Sequence, residues 1–156
     1  DLLGEHGGFY AKMSLMDESA RAPFIVAVRG VPRGAATRSL LEYVDLFPTL
    51  VDIAGLPMPA GLQGISQAPV LRDPTASVRD SAYTIALRGA NRVGRALHTA
   101  DHTLLEWPDG GRQLYDAVTD PREYANLAAL PAHASTLRGM ESALARRREE
   151  VNRGKP

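Results

Sequence analysis

Apolar positions fall into two regimes along the chain, with a change near residues 75–80. In the first regime, Pro23-Phe24-Ile25-Val26-Ala27-Val28 is a short continuous apolar run rich in β-branched residues. Such a run predicts a strand buried on both faces, as in a parallel sheet. The leading proline and the following Gly30 and Pro32 disfavour a short buried helix. Upstream, Lys12 to Arg21 predicts a helix with Met13, Leu15 and Met16 turned inward. Gly30 to Arg38 reads as a loop. Asp45 is placed to cap a helix, and Pro48 sits in its first turn, where a missing N–H is no loss. Leu46, Leu50 and Ile53 follow at helical spacing, with Val51 and Ala54 beside them. Gly55 suits the left-handed terminating position, and Pro57 and Pro59 prevent resumption. From Leu56 to Asp80 the chain is rich in proline, glycine and small residues, and predicts a connecting loop.

The second regime holds four short strand candidates: Ser81 to Leu87, Val93 to His98, Thr103 to Trp107 and Gln113 to Asp116. Turn-forming segments separate them, of which Pro108-Asp109-Gly110-Gly111 is the clearest hairpin signal. Spacing of about ten residues predicts an antiparallel meander. Thr119 to Glu123 predicts a turn into a short helix. Pro131 opens a final helix to about Val151. Leu137, Met140, Leu144 and Val151 give that helix one apolar stripe, expected to cover one face of the meander.

These patterns divide the chain into residues 1–75, part of an α/β domain, and residues 76–156, a small α+β unit. Charge balances at 18 basic and 18 acidic residues. No basic footprint points to nucleic acid, and no apolar run approaches the roughly 20 residues of a membrane helix. The absence of cysteine excludes disulfides and thiolate metal ligands within these residues. The run Arg146-Arg147-Arg148-Glu149-Glu150 reads as a solvated helix face. Asp1 to Gly8 resembles no signal peptide, and a polar, glycine-rich beginning is expected of a chain that starts inside a larger protein.

The densest set of reactive groups is N-terminal: Asp1, Glu5, His6, Lys12, Asp17 and Glu18. Glycines at 4, 7 and 8 let the backbone approach a ligand closely. Lys12 can neutralise an oxyanion as a point charge, or simply be solvated. His6 can bind metal or donate a proton, or make an ordinary hydrogen bond. His98, His102 and His133 lack metal-ligand spacing. Ser14, Ser39 and Ser66 lack a nucleophile-elbow context. Trp107, Tyr83 and Tyr115 suit a strand core. Arg95, beside Gly94, reads as an exposed strand residue that can also reach toward an acidic or sulfated substrate.

Leu3-Gly4-Glu5-His6-Gly7-Gly8 with Lys12, continuing through Asp17, Arg21 and Pro23, resembles the sulfatase L-G-E-H-G segment, its lysine and E-x-x-x-R-x-P. Val44-Asp45-Leu46-Phe47-Pro48-Thr49-Leu50, Ala54-Gly55-Leu56-Pro57 and Gly61-Leu62-Gln63-Gly64 resemble a further stretch of the same family. Leu114-Tyr115-Asp116, Thr119-Asp120-Pro121-Arg122-Glu123 and Asn126-Leu127 resemble its close. Three blocks in order cover most of the chain. The stretch from Gly94 to Trp107 is most similar to the iduronate-2-sulfatase-like branch.

The resemblance implies the C-terminal part of an alkaline-phosphatase-like α/β/α sandwich plus a small four-stranded antiparallel sheet packed by a C-terminal helix. It implies sulfate-ester hydrolysis by a formylglycine nucleophile with Ca2+ or another divalent cation. Lys12 matches the family lysine that contacts sulfate, and His6 and Arg95 are taken as substrate-binding candidates. No metal ligand is expected within this chain. The C/S-x-P-x-R nucleophile motif is absent from the sequence, as is the Asp-His pair that precedes L-G-E-H-G, and Asp1 is not assigned to metal. The isolated chain is therefore expected to be inactive and to expose apolar surface in its first 75 residues. The expected partner is a small sulfated substrate, with association through an exposed sheet edge a further expectation. Two alternatives stay open: a phosphodiesterase or phosphonate hydrolase of the same superfamily, and a non-catalytic module.

Overall fold

A computed structural model describes residues 1–8, 10–12, 14–88 and 92–154. By contact the chain forms two compact units, Asp1–Pro23 with Tyr83–Arg147 and Phe24–Ala82 with Arg148–Pro156. In this division by contact, residues 1–23 group with the sheet rather than with residues 24–75. No helix among the described residues is long and apolar enough to cross a membrane.

The first unit is built on β3 (Ser81–Arg88), β4 (Arg92–Thr99), β5 (His102–Glu106) and β6 (Arg112–Asp116). They form one four-stranded sheet in sequence order, with β4–β5 and β5–β6 antiparallel. The expected strands match these closely. At the β5–β6 turn Gly110 adopts φ 83, and the N–H of Gly111 donates to Asp109 Oδ1 at 3.1 Å. The expected turn at Gly89–Asn91 lies outside the described residues.

Strand alternation gives the sheet two apolar faces. Leu97, Leu104 and Leu114 pack against Met140 and Leu144 of the C-terminal helix α5 (Ala134–Arg153). A 3-10 turn at Pro131–His133 precedes that helix, which therefore begins three residues later than expected. Ala86, Ala96, Leu105 and Tyr115 face the other way and close around Leu15, which is fully buried. Gly94 is required there: a Cβ would lie 2.5 Å from the Trp107 ring and 2.8 Å from Leu15.

Burying Leu15 changes the segment before it. The helix expected over Lys12–Arg21 shrinks to α2 (Asp17–Ala20). The N–H of Met16 donates to Ser14 Oγ at 3.1 Å, a local bond that competes with helix. Met13 lies outside the described residues. The short helix expected after Thr119 does not form, because Glu123 takes φ 56, which a right-handed helix cannot accommodate. A two-residue pair, β1 (Leu2–Leu3) with β2 (Tyr10–Ala11), brackets the single turn α1 (Glu5–Gly8).

In the second unit, a 3-10 turn at Tyr43–Asp45 leads into α3 (Leu46–Ile53), and Gly55 follows at φ 67. The Asp45 side chain does not cap α3. It is fully buried and accepts from Arg79 Nε at 2.6 Å, from Arg79 Nη2, and from the N–H groups of Glu42 and Ile65. Burial alone would push its carboxyl up; the guanidinium and the two amides outweigh that and hold it below the usual range. The segment expected to be loop contains α4 (Ala68–Arg72), whose Val70 is buried. The strand expected over residues 23–28 is irregular, with Ile25 90% exposed. A strand needs a hydrogen-bonded neighbour, and no described strand lies beside this one.

Candidate functional site

The loop between β1 and β2 turns through four residues of positive φ: Gly4, His6, Gly7 and Gly8. Glycine meets that demand without steric cost, whereas His6 at φ 55 must be held there. Its holders are visible. His6 Nε2 lies 3.3 Å from Glu18 Oε2, and its ring packs against Tyr124 with centroids 5.1 Å apart. The histidine side chain is only 13% exposed. Gly4 is fixed by a second contact, since a Cβ there would meet the Tyr10 hydroxyl at 3.0 Å.

Lys12 stands at the end of this loop with 81% of its side chain exposed. Its Nζ is 4.0 Å from Asp1 Oδ2, a loose solvated pair. The ammonium is therefore available to an incoming anion.

Behind the loop lies a polar cluster in the same compact unit. Glu123 Oε2 accepts the N–H of Asp17 at 2.9 Å, across 106 residues of sequence. Burial pushes the Glu123 carboxyl up, helped by the charges of Asp17 and Glu18; the Asp17 amide and the Thr103 hydroxyl act against it. His98 is buried with Nδ1 4.0 Å from Asp17 Oδ1. Burial lowers its basicity, partly offset by Asp17. Burial and the charges of Glu123, Asp120 and Glu18 push the Tyr115 hydroxyl up to about 12. Glu18 Oε1, Glu123 Oε1 and His98 Nε2 have no hydrogen-bond partner among the described residues.

The sequence candidates thus separate. His6 and Lys12 share one loop, with Glu18 against the histidine. Arg95 does not join them. It follows the parity of Leu97 on β4, so it lies on the face of the sheet that α5 covers, opposite Leu15. Its cross-strand partner is Glu106, whose own neighbour Arg112 pairs with Glu141 of α5 at 2.8 Å. Sequence reasoning named Glu123 only as part of the family-like Thr119–Glu123 block and gave neither it nor Tyr124 a place beside the loop. Among the described residues no group of three or more His, Asp or Glu is arranged to hold a metal ion. The residues present do not fit the divalent cation that the resemblance implies.

A four-stranded meander packed by one helix, together with a glycine-rich loop that ends in an exposed lysine, is an arrangement this chain shares with the C-terminal domains of sulfatases. The family model for N-sulphoglucosamine sulphohydrolase, C-terminal, matches residues 4–150, and the chain belongs to that family. Rat arylsulfatase K is 33% identical over 137 residues, covering 80% of this chain and 24% of that protein. Human arylsulfatase K is 30% identical, covering 82% and 26%. The chain thus spans about a quarter of the curated relatives it matches. A solved structure in complex with its substrate D-glucosamine-2-N,6-O-disulfate superposes with TM-score 0.88 at 25% identity, over 99% of this chain and 33% of its own. A phosphonate monoester hydrolase from Silicibacter pomeroyi gives 0.76 at 26% identity, over 88% and 31%.

Proposed function

We propose that this chain is the C-terminal portion of an enzyme that hydrolyses sulfate esters, with Lys12 contacting the sulfate and His6 lining the substrate side of the same loop. The observation that carries the reading is the loop itself. Its backbone is bent so that His6 is pinned by Glu18 and Tyr124 while the Lys12 ammonium, only loosely paired with Asp1, stays exposed. A point charge held near the transferring group stabilises the negative charge that develops on its oxygens. His6, fixed by Glu18 and Tyr124, would offer a polar ring to the substrate without searching rotamers. Residues 1–75 would contribute to the catalytic α/β domain and residues 76–156 would form its C-terminal subdomain. Nucleophile and divalent cation would come from polypeptide outside this sequence, because the sequence lacks the nucleophile motif and the described residues hold no ligand set. Arg95, on the α5 side of the sheet, is the weakest of the candidates, and a substrate role for it requires a ligand reaching that face.

The test is Lys12→Ala in an enzyme that joins this chain to a preceding half bearing the nucleophile motif. Loss of one charge-stabilising donor should lower kcat/KM on a sulfate ester by about 100-fold or more. An unchanged rate rejects the assignment. The likeness to a phosphonate monoester hydrolase favours one second reading, hydrolysis of phosphonate or phosphate diesters. Assaying the same enzyme on a sulfate ester and a phosphonate monoester separates the two. A chain that supports neither reaction would be a non-catalytic module.

A further inference from the structure

The second compact unit carries a basic feature that the proposed reaction does not use. From Phe24 to Leu41 the sequence holds three arginines, Arg29, Arg33 and Arg38, and no acidic residue. All three are exposed. None has a charged partner among the described residues. The run Arg146-Arg147-Arg148 on α5 is different, since Glu149 and Glu150 follow it and Glu149 lies 3.9 Å from Arg153. A cation without a nearby anion keeps its full field; one inside a mixed network does not.

The backbone adds a second element. Arg29-Gly30 and Arg33-Gly34 are successive turns, four residues apart, with Gly30 at φ 89 and Gly34 at φ 68. Turns of this kind bring consecutive N–H groups onto one concave side, where they attract an anion. Pro32 has no N–H, and the N–H groups of residues 29–31 and 33–35 donate to no acceptor among the described residues. Nothing lies within 4 Å of where a Cβ would stand on Gly30 or Gly34, so a ligand can reach both. The first turn also borders a groove in which Arg29, Gly30 and Val31 line up with Ile53, Leu71 and Arg72. Arg72 is held at 3.4 Å from Asp52, so Arg29 is the uncompensated charge there. Free amides, free guanidinium groups and an adjoining apolar wall suit a tetrahedral oxyanion carried on an organic body.

We propose that the paired Arg-Gly turns at residues 29–34 form an anion-binding site for a sulfate group carried by a saccharide. The choice of a sulfated saccharide rests on the sulfatase reading above; the choice of an oxyanion rests on the turns alone. In the whole enzyme such a site would hold a further sulfated part of a substrate while the loop at residues 4–12 engages another.

The experiment is a titration of the 15N-labelled 156-residue chain with D-glucosamine-2-N,6-O-disulfate, followed by amide shifts. Sodium sulfate, sodium phosphate and unsulfated D-glucosamine are titrated in parallel. The site predicts saturable shifts at Gly30, Gly34 and their neighbours with the disulfate and none with D-glucosamine. Arg29→Ala with Arg33→Ala should weaken binding about tenfold or more, while Arg146→Ala with Arg148→Ala leaves it unchanged. All four side chains are surface residues, and equal thermal midpoints will verify folding. No shift in residues 29–38, or equal loss in the α5 variant, overturns the proposal. Sulfate and phosphate binding as tightly as the saccharide overturns its saccharide part. Shifts confined to residues 4–12 overturn it and leave the sulfatase reading intact, whereas saturable shifts at 29–34 with the disulfate support it whether or not residues near Lys12 also shift; the sulfatase reading is tested separately by Lys12→Ala.

Discussion

At the scale of single residues, two side chains illustrate how far sequence reading reaches. Asp45 was legible as important, but as a helix cap. Its real partner, Arg79, is 34 residues away, and no local pattern reveals a pair that distant. The place of Glu123 in the polar cluster was invisible, because neither its φ of 56 nor its burial follows from the Asp-Pro turn around it. Lys12 was singled out from its motif, whereas the face of the sheet on which Arg95 stands is only read once the strand register is known. Glu123 also makes a testable demand on pH. Burial raises its folded-state pKa above the ordinary 4.5, so its contribution to stability is full below that value and lost as pH rises through the folded one. His98 has the opposite sign. Its folded-state value is lowered below 6.5, so its contribution is present above 6.5 and lost as pH falls through the folded value. Glu123→Gln keeps an acceptor for the Asp17 amide and removes the ionisation. The variant should melt a few degrees above the parent at about pH 8 and show no gain near pH 4. Thermal melts by circular dichroism measure this. A lower midpoint at both pH values would show that the carboxylate itself is needed.

At the scale of elements, the meander was readable and the rest was less so. Each strand is bounded by short turns and pairs with its sequence neighbour, so its partners are local and the pattern that predicts it also satisfies it. The final helix was readable because its stripe repeats over 20 residues. Five residues are too few for a periodic signal, which is why α4 was missed. The segment at 23–28 is the instructive failure: its composition suits a buried strand, but a strand is completed by a neighbour that the described residues do not supply. The helix–sheet contact can be weighed directly. Leu144 is 3% exposed and packs with Leu97, Leu104, Leu114 and Met140. Leu144→Ala removes buried methyl groups and leaves a cavity, at a cost of about 2–5 kcal/mol. Urea denaturation followed by tryptophan fluorescence should show that loss, since Trp107 borders the opposite core of the same unit. A cost below about 0.5 kcal/mol would mean that α5 is not docked on the sheet in solution.

At the scale of the whole molecule, exposed apolar side chains are unequally shared between the two units. Phe24–Ala82 includes Ile25 at 90% exposure, Tyr43 at 72%, Leu50 at 65%, Leu56 at 61% and Phe47 at 54%. Scattered exposed leucines are ordinary, but this many on a unit of that size offer surface that can be buried against another. The unit has its own internal order, because the Asp45–Arg79 pair, Thr49 and Gln67 form a buried hydrogen-bonded frame. Its stability thus does not require the apolar surface to be satisfied, and its solubility does. Taken alone, the chain should associate with itself through this surface as concentration rises, without unfolding. Sedimentation velocity from a few to about 100 µM should show a rising mean coefficient, with an unchanged far-ultraviolet spectrum. Ile25→Lys with Leu50→Lys puts charge on two of the most exposed positions and should restore a concentration-independent value. Both are solvent-facing, so the thermal midpoint should barely move. A chain that stays monomeric throughout that range would show that these side chains are tolerated by water, and that their exposure needs no covering partner.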